Sequence, residues 1–207
     1  IAESTKYRHL TRLIERIGFR SPVNSAMIYL EMIEKALDIA IPIRACAIRI
    51  VFRETGRILS HLQMNLNALS DLNLAIYANQ YRNYIVELGH FQEKITGSRL
   101  AFDLVQLGGV GCDLEINECH NLKLMLGQMQ KELIACQKRL ENDHLFLQNT
   151  KDIASVTQED CINYGVTGVV ARSVGLAIDA RKENESYIEL GVDFDIPIRE
   201  SGDVFAR

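Results

Sequence analysis

The sequence predicts a mainly α-helical fold, a helical bundle followed by a glycine-punctuated, extended C-terminal arm. Apolar residues recur at steps of three and four through most of the chain, the spacing that places them on one face of an α-helix. From Gly165 the character changes, and Gly165, Gly168, Gly175, Gly191 and Gly202 punctuate short apolar pieces. Composition fits a folded protein: 47% of the 207 residues are apolar and 24% are charged. A chain of this length buries roughly 70% of the surface it exposes when unfolded. The bundle is assigned to residues 1–150 and the irregular wrapping arm to residues 151–207, both within one domain.

Each element has a local reason. Ser21-Pro22 has the form of an N-cap followed by a first-turn proline, and Ala26, Leu30, Ile33 and Leu37 follow at helical spacing, which predicts a helix from about Ser21 to Asp38. A second helix is expected from near Pro42 through Ile58, Leu62, Leu66 and Leu69. A third carries Tyr77, Tyr81, Tyr84 and Leu88 and is expected to stop at Gly89. The longest regular stripe, Leu126, Met129, Leu133, Cys136 and Leu140, marks the face of a helix packing on its neighbours. Between the third helix and this stripe, Gly108 and Gly109 break the pattern into a turn or short strand where backbone approaches something closely. The arm holds Pro197 in an extended context. Long irregular segments are uncommon inside an isolated domain, so this one argues for an assembly.

Charge and cysteine usage narrow the function. Net charge is -4, from 23 basic and 27 acidic residues, so the broad positive field that nonspecific nucleic-acid binding requires is missing. Arg49, Arg53 and Glu54 interrupt the best candidate for a membrane span. Cys46, Cys112, Cys119, Cys136 and Cys161 are odd in number and form no CxxC pair, which fits a reducing compartment and a mostly packing role. Cys112, Cys119 and His120 lack the spacing of a zinc site. The sequence has no GxSxG elbow, Walker loop, HExxH pair or GxGxxG turn, so it carries no self-contained catalytic signature. Asp71 and Asp103 stand in otherwise apolar sequence and are candidates for proton handling, helix capping or pairing with arginine. The chain opens on Ile1 in helical-looking sequence without a basic-then-apolar leader, and reads as a piece of something longer.

The arm also carries a specific string: Thr167-Gly168, Arg172, Gly175, Asp179, Arg181-Lys182, Tyr187, Phe194-Asp195-Ile196-Pro197 and Gly202-Asp203. Upstream stand Glu34-Lys35, the PxRAxxIR run from Pro42 to Arg49, Glu54, Arg57, Ser60-His61-Leu62, Asp71, Thr96-Gly97-Ser98-Arg99 and Gly108-Gly109-Val110. Together these resemble the hydrogenase-large-subunit-like subunit of the proton-pumping NADH:quinone oxidoreductase, respiratory complex I, over essentially the whole chain. The same ancestral subunit serves nickel–iron hydrogenases, where two CxxC pairs hold the metal. The first pair would fall on Ser21 and Asn24, which supply no thiolate, so hydrogen chemistry is excluded.

The resemblance implies a wall of the quinone-reduction chamber beside a neighbouring subunit that holds the terminal iron–sulfur cluster, with electron transfer from NADH to quinone coupled to proton translocation. It implies no cofactor bound by this chain alone, quinone as substrate, and positioning and electrostatics as the protein's part. Arg16 falls on the arginine close to the cluster, where a fixed cation favours the reduced form. Arg99, Gly108 and Gly109 fall near the cluster neighbour. Asp71 falls on the acidic residue that pairs with the quinone-site histidine and relays a proton. Phe19 falls on the quinone-binding tyrosine, keeping the ring without the donating hydroxyl. Two further departures lie close by: Ala101-Phe102 stands where the family has the histidine beside the cluster, and Gln106 replaces an arginine.

The implied partners are other complex I subunits, above all the one carrying the terminal cluster, and the membrane arm indirectly. The N- and C-terminal parts of the family pattern are supplied by separate chains or by a longer form of this one. The implied location is the peripheral arm of the complex at the mitochondrial inner membrane, matrix side, or at the bacterial inner membrane, cytoplasmic side. An alternative role is a structural scaffold of the same assembly with a degenerate quinone site.

Overall fold

The computed structural model describes residues 2–18 and 21–207. The protein is mainly α-helical: the described residues form nine α-helices and one two-stranded ladder. The chain divides into two compact units, Ile1–Glu132 and Leu133–Arg207.

The first unit opens with α1 (Tyr7–Ile17) and α2 (Pro22–Ala36). Pro22 takes the first-turn position of α2, where its missing N–H costs nothing. Ser21 precedes it but does not cap; its Oγ accepts a hydrogen bond from Asn24 Nδ2 at 2.6 Å. The buried face of α2 is Val23, Ala26, Met27, Leu30 and Glu34. It is rotated from the expected stripe, with Ile33 half-buried and Leu37 exposed. The helix ends two residues short of Asp38, because Asp38 turns left-handed at φ 52 and Ile39 N–H closes onto Glu34 C=O at 2.9 Å.

The longest helix, α3 (Ile43–Asp71), starts directly after Pro42 as expected. Its core face includes Ile48, Arg49, Phe52, Thr55, Leu59, Leu62, Leu66 and Leu69. Asn73 at φ 57, with Leu74 N–H on Leu69 C=O at 2.9 Å, ends it in the same way as α2. Helix α4 (Ala75–Thr96) packs along α3 and buries Ala78, Tyr81, Tyr84 and Leu88. The expected stop at Gly89 does not occur. That glycine is buried inside the helix, the position of a Cβ there lies 3.8 Å from Arg99 Cβ, and the left-handed cap falls at Gly97, φ 75.

A hairpin follows, β1 (Val105–Gln106) and β2 (Gly109–Val110), antiparallel with Val105 opposite Val110 and Gln106 opposite Gly109. In the two-residue turn Leu107–Gly108, Gly108 is left-handed at φ 80, a conformation glycine adopts without the steric cost of a Cβ. Ala101, Leu104, Val105 and Leu114 pack with Val23, Met27, Leu30, Ile48 and Phe52 in one core, so the hairpin is built onto α2 and α3. Helix α5 (Ile116–Leu140) follows. The stripe expected on it holds, with Met129, Cys136 and Leu140 buried and Leu126 and Leu133 half-buried.

The second unit contains α6 (His144–Thr150) and, within residues 151–207, the short pieces α7 (Gln158–Asn163), α8 (Gly168–Ser173), a 3-10 turn and α9 (Glu185–Glu189). Asp203 ties it together, its buried carboxylate accepting from Asp152 N–H (2.9 Å), Ala206 N–H (2.9 Å) and Ser201 Oγ–H (2.9 Å). Gly202 makes this tie possible, because a Cβ there would lie 2.3 Å from Val156 O. Among the described residues no helix is long and apolar enough to cross a membrane.

Candidate functional site

The site is the segment from Ala101 to Val110 together with the three helices that grip it. The hairpin end is held by Glu34 of α2 and Arg49 of α3, whose side chains are 3% and 2% exposed. Arg49 donates through Nη1 to Glu34 Oε2 at 2.9 Å and through Nη2 to Glu34 Oε1 at 2.7 Å, the two-pronged geometry that a planar guanidinium favours. Its other donors reach the hairpin backbone, Nη2 to Gln106 O at 2.7 Å and Nε to Gly109 O at 3.1 Å. Glu34 Oε1 accepts Gly108 N–H at 2.7 Å. The two charges cancel, and their remaining hydrogen-bonding capacity is spent on fixing the turn.

The other end is held by α1. Glu15, 1% exposed, accepts the Asp103 N–H at Oε1, 2.9 Å away. Burial pushes its carboxyl above the usual range against the pull of that N–H; the Asp103 carboxylate raises it further, and Arg16 and Arg12 oppose. Arg12 Nε pairs with Asp103 Oδ1 at 3.0 Å. Arg16 donates to Arg12 O at 2.7 Å, and its guanidinium lies 5.8 Å from the centre of the Phe102 ring, within cation–π range. Ala101 and Asp103 are left-handed at φ 52 and 57. For residues other than glycine such backbone costs about 1–3 kcal/mol each and persists only where surroundings over-determine it.

The residues singled out from sequence are distributed as follows. Gly108 and Gly109 lie within this gripped segment, and Arg16 packs on its Phe102. Arg99 stands on its approach, paired with the exposed Glu93 at 3.0 Å. Asp71 is elsewhere. It is the last residue of α3, exposed, and about 33 Å from Arg49 at 1.5 Å rise per residue. Neither acidic candidate lies in apolar surroundings: Asp103 is also exposed and is neutralised by Arg12. Phe19 lies outside the described residues. Among the described residues, no three His, Cys, Asp or Glu side chains converge as a metal site.

Glu15 is not legible in the sequence as a site residue, and Glu34 and Arg49 stand there as pattern without a role. A glutamate and an arginine within otherwise apolar helix faces are the available signal for the pair. For Glu15 no signal exists, because its partner is a backbone N–H far along the chain.

Comparison with known proteins gives this architecture its class, that of respiratory-chain dehydrogenase subunits: residues 69–207 match the family described as "Respiratory-chain NADH dehydrogenase, 49 Kd subunit". The chain is 30% identical over 210 residues to an NADH-quinone oxidoreductase subunit of Geobacillus kaustophilus, covering 100% of this chain and 56% of that protein. It is 30% identical over 213 residues to the NADH dehydrogenase [ubiquinone] iron-sulfur protein 2 of Nephroselmis olivacea, covering 100% and 52%. The like-named NADH-quinone oxidoreductase subunit of Helicobacter pylori is 29% identical, with 100% and 51% covered. The chain belongs to the 49 kDa subunit family of respiratory complex I. It spans about half the length of the curated relatives it matches.

Proposed function

We propose that this chain forms part of the quinone-reduction chamber of complex I, next to a neighbouring subunit that carries the terminal iron–sulfur cluster. In this role it supports electron transfer from NADH to quinone coupled to proton translocation. The observation that carries the reading is the convergence of Arg16, Gly108 and Gly109 on one segment. These are residues that the resemblance ties to the cluster neighbour: Arg16 packs on Phe102 at one end of the segment, and Gly108 and Gly109 lie at its other end, held by Glu34 and Arg49. Such a face suits a partner's redox centre: Arg16 is a cation whose position is set by Arg12 O and the Phe102 ring, and a fixed cation favours a centre's reduced form. The complex would be the peripheral arm of an assembly at the mitochondrial inner membrane, matrix side, or its bacterial counterpart.

In this reading Asp71, exposed at the far end of α3, is assigned as the proton-handling group at the quinone, and Phe19, which has no hydroxyl to donate, as a quinone-binding residue. Replacement of Asp71 by Asn in the assembled complex tests this. Loss of a positioned acid–base group costs about a hundredfold or more in rate, so quinone reductase activity should fall by that order while the cluster's paramagnetic resonance signal persists. Wild-type activity in the variant would overturn the assignment. One observation favours a second reading, a scaffold with a degenerate quinone site: the Ala101-Phe102 pair, where the resemblance implies a histidine, offers no group that titrates, and Ala101 is fully buried at 0% exposure. Inhibitor-sensitive turnover of the purified complex would exclude the scaffold.

A further inference from the structure

We propose that Glu15 is a positioning residue that holds the Ala101–Asp103 turn, and through it the Phe102 ring beneath Arg16. This rests on the reading above in one respect only, that Arg16 faces the neighbour's cluster.

Geometry carries the inference. Glu15 is buried, and among the described residues its hydrogen bond outside its own helix is to the Asp103 N–H at 2.9 Å. That bond fastens a segment whose backbone is left-handed on both sides of Phe102, at Ala101 (φ 52) and Asp103 (φ 57). The Phe102 ring is the surface over which Arg16 lies. Releasing Asp103 therefore frees the turn to relax and removes the platform that fixes the Arg16 cation.

The experiment compares the assembled complex of wild type, Glu15→Ala and Glu15→Gln. It follows hydrogen-exchange protection at the Asp103 amide, together with the resonance line shape of the terminal cluster. In Glu15→Ala protection should drop about tenfold or more, the loss expected for a buried hydrogen bond to an ionisable group. In Glu15→Gln, an acceptor of the same shape, most of the protection should be kept. The line shape should move in Glu15→Ala as it does in Arg16→Gln and stay near wild type in Glu15→Gln. Unchanged protection in Glu15→Ala, or protection in Glu15→Gln as low as in Glu15→Ala, overturns the grip. Altered protection with an unaltered line shape in both Glu15→Ala and Arg16→Gln upholds the grip and overturns the cluster-facing reading of Arg16. If Glu15→Ala fails to assemble, Glu15→Asp, whose carboxyl is withdrawn by one methylene, takes its place with the same expected losses.

Discussion

Glu34 and Arg49 have left water almost completely, and each has replaced its hydration with the other and with the hairpin backbone. Removing one partner strands the other as an uncompensated buried charge. Glu34→Gln or Arg49→Met should therefore destabilise the protein by about 3–5 kcal/mol, whereas replacing both by apolar residues should cost clearly less. Urea unfolding of the two single variants and the double variant checks this, and additive losses would contradict it. Asp203 shows the opposite behaviour to Glu15. The Asp152 N–H, aided by Ala206 N–H and Ser201, holds its carboxyl below the usual range despite burial. A depressed folded pKa contributes stability that is fully present above the unfolded value of about 4 and disappears as pH falls through the folded one. A raised pKa, as at Glu15, reverses the sign, and its cost is relieved on acidification. Exchange protection around residues 150–157 and 201–207 should thus be lost in acid in wild type and already be weak at neutral pH in Asp203→Asn. An identical pH profile in that variant would refute the role of Asp203.

Elements are legible in the sequence where side chains alone decide, and less so where backbone contacts do. The starts of α2 and α3 follow directly from Ser21-Pro22 and Pro42, and the stripe on α5 from its spacing. The end of α4 escapes such reading because Gly89, which has the look of a stop, is instead a packing position beneath Arg99. Nothing local separates these uses of glycine; the difference lies in a side chain ten residues on. The two motif glycines near the chain's critical turns differ in the same sense. Gly109 has nothing within 4 Å of a Cβ and no left-handed φ, while Gly202 combines φ 65 with a Cβ position 2.3 Å from Val156 O. Gly109→Ala should be neutral to within about 1 kcal/mol, whereas Gly202→Ala should break the Asp203 tie and cost more than the ~1–2 kcal/mol of left-handed strain alone. Thermal denaturation of both variants distinguishes them, and equal losses would show that the close approach at Gly202 is unimportant.

For the whole chain, family membership is readable from a long string of small motifs, because each fixed spacing reports a fold already in place. The site is readable only in part. Arg16 and the paired glycines come from that string, but the carboxylate that grips their segment from α1 does not, since a hydrogen bond to a distant backbone N–H leaves no trace in composition or period. Nor does the string reveal that Asp71 stands apart from the gripped segment, a fact that depends on α3 running unbroken between them. That unbroken run has a mechanical consequence. With no proline inside it, α3 joins the Arg49 clamp to Asp71 as one continuous helix, so any tilt about the clamp is magnified at the far end. A rotation of only about 5° about that point sweeps the Asp71 end through about 3 Å, the length of one hydrogen bond, given a lever arm of about 33 Å.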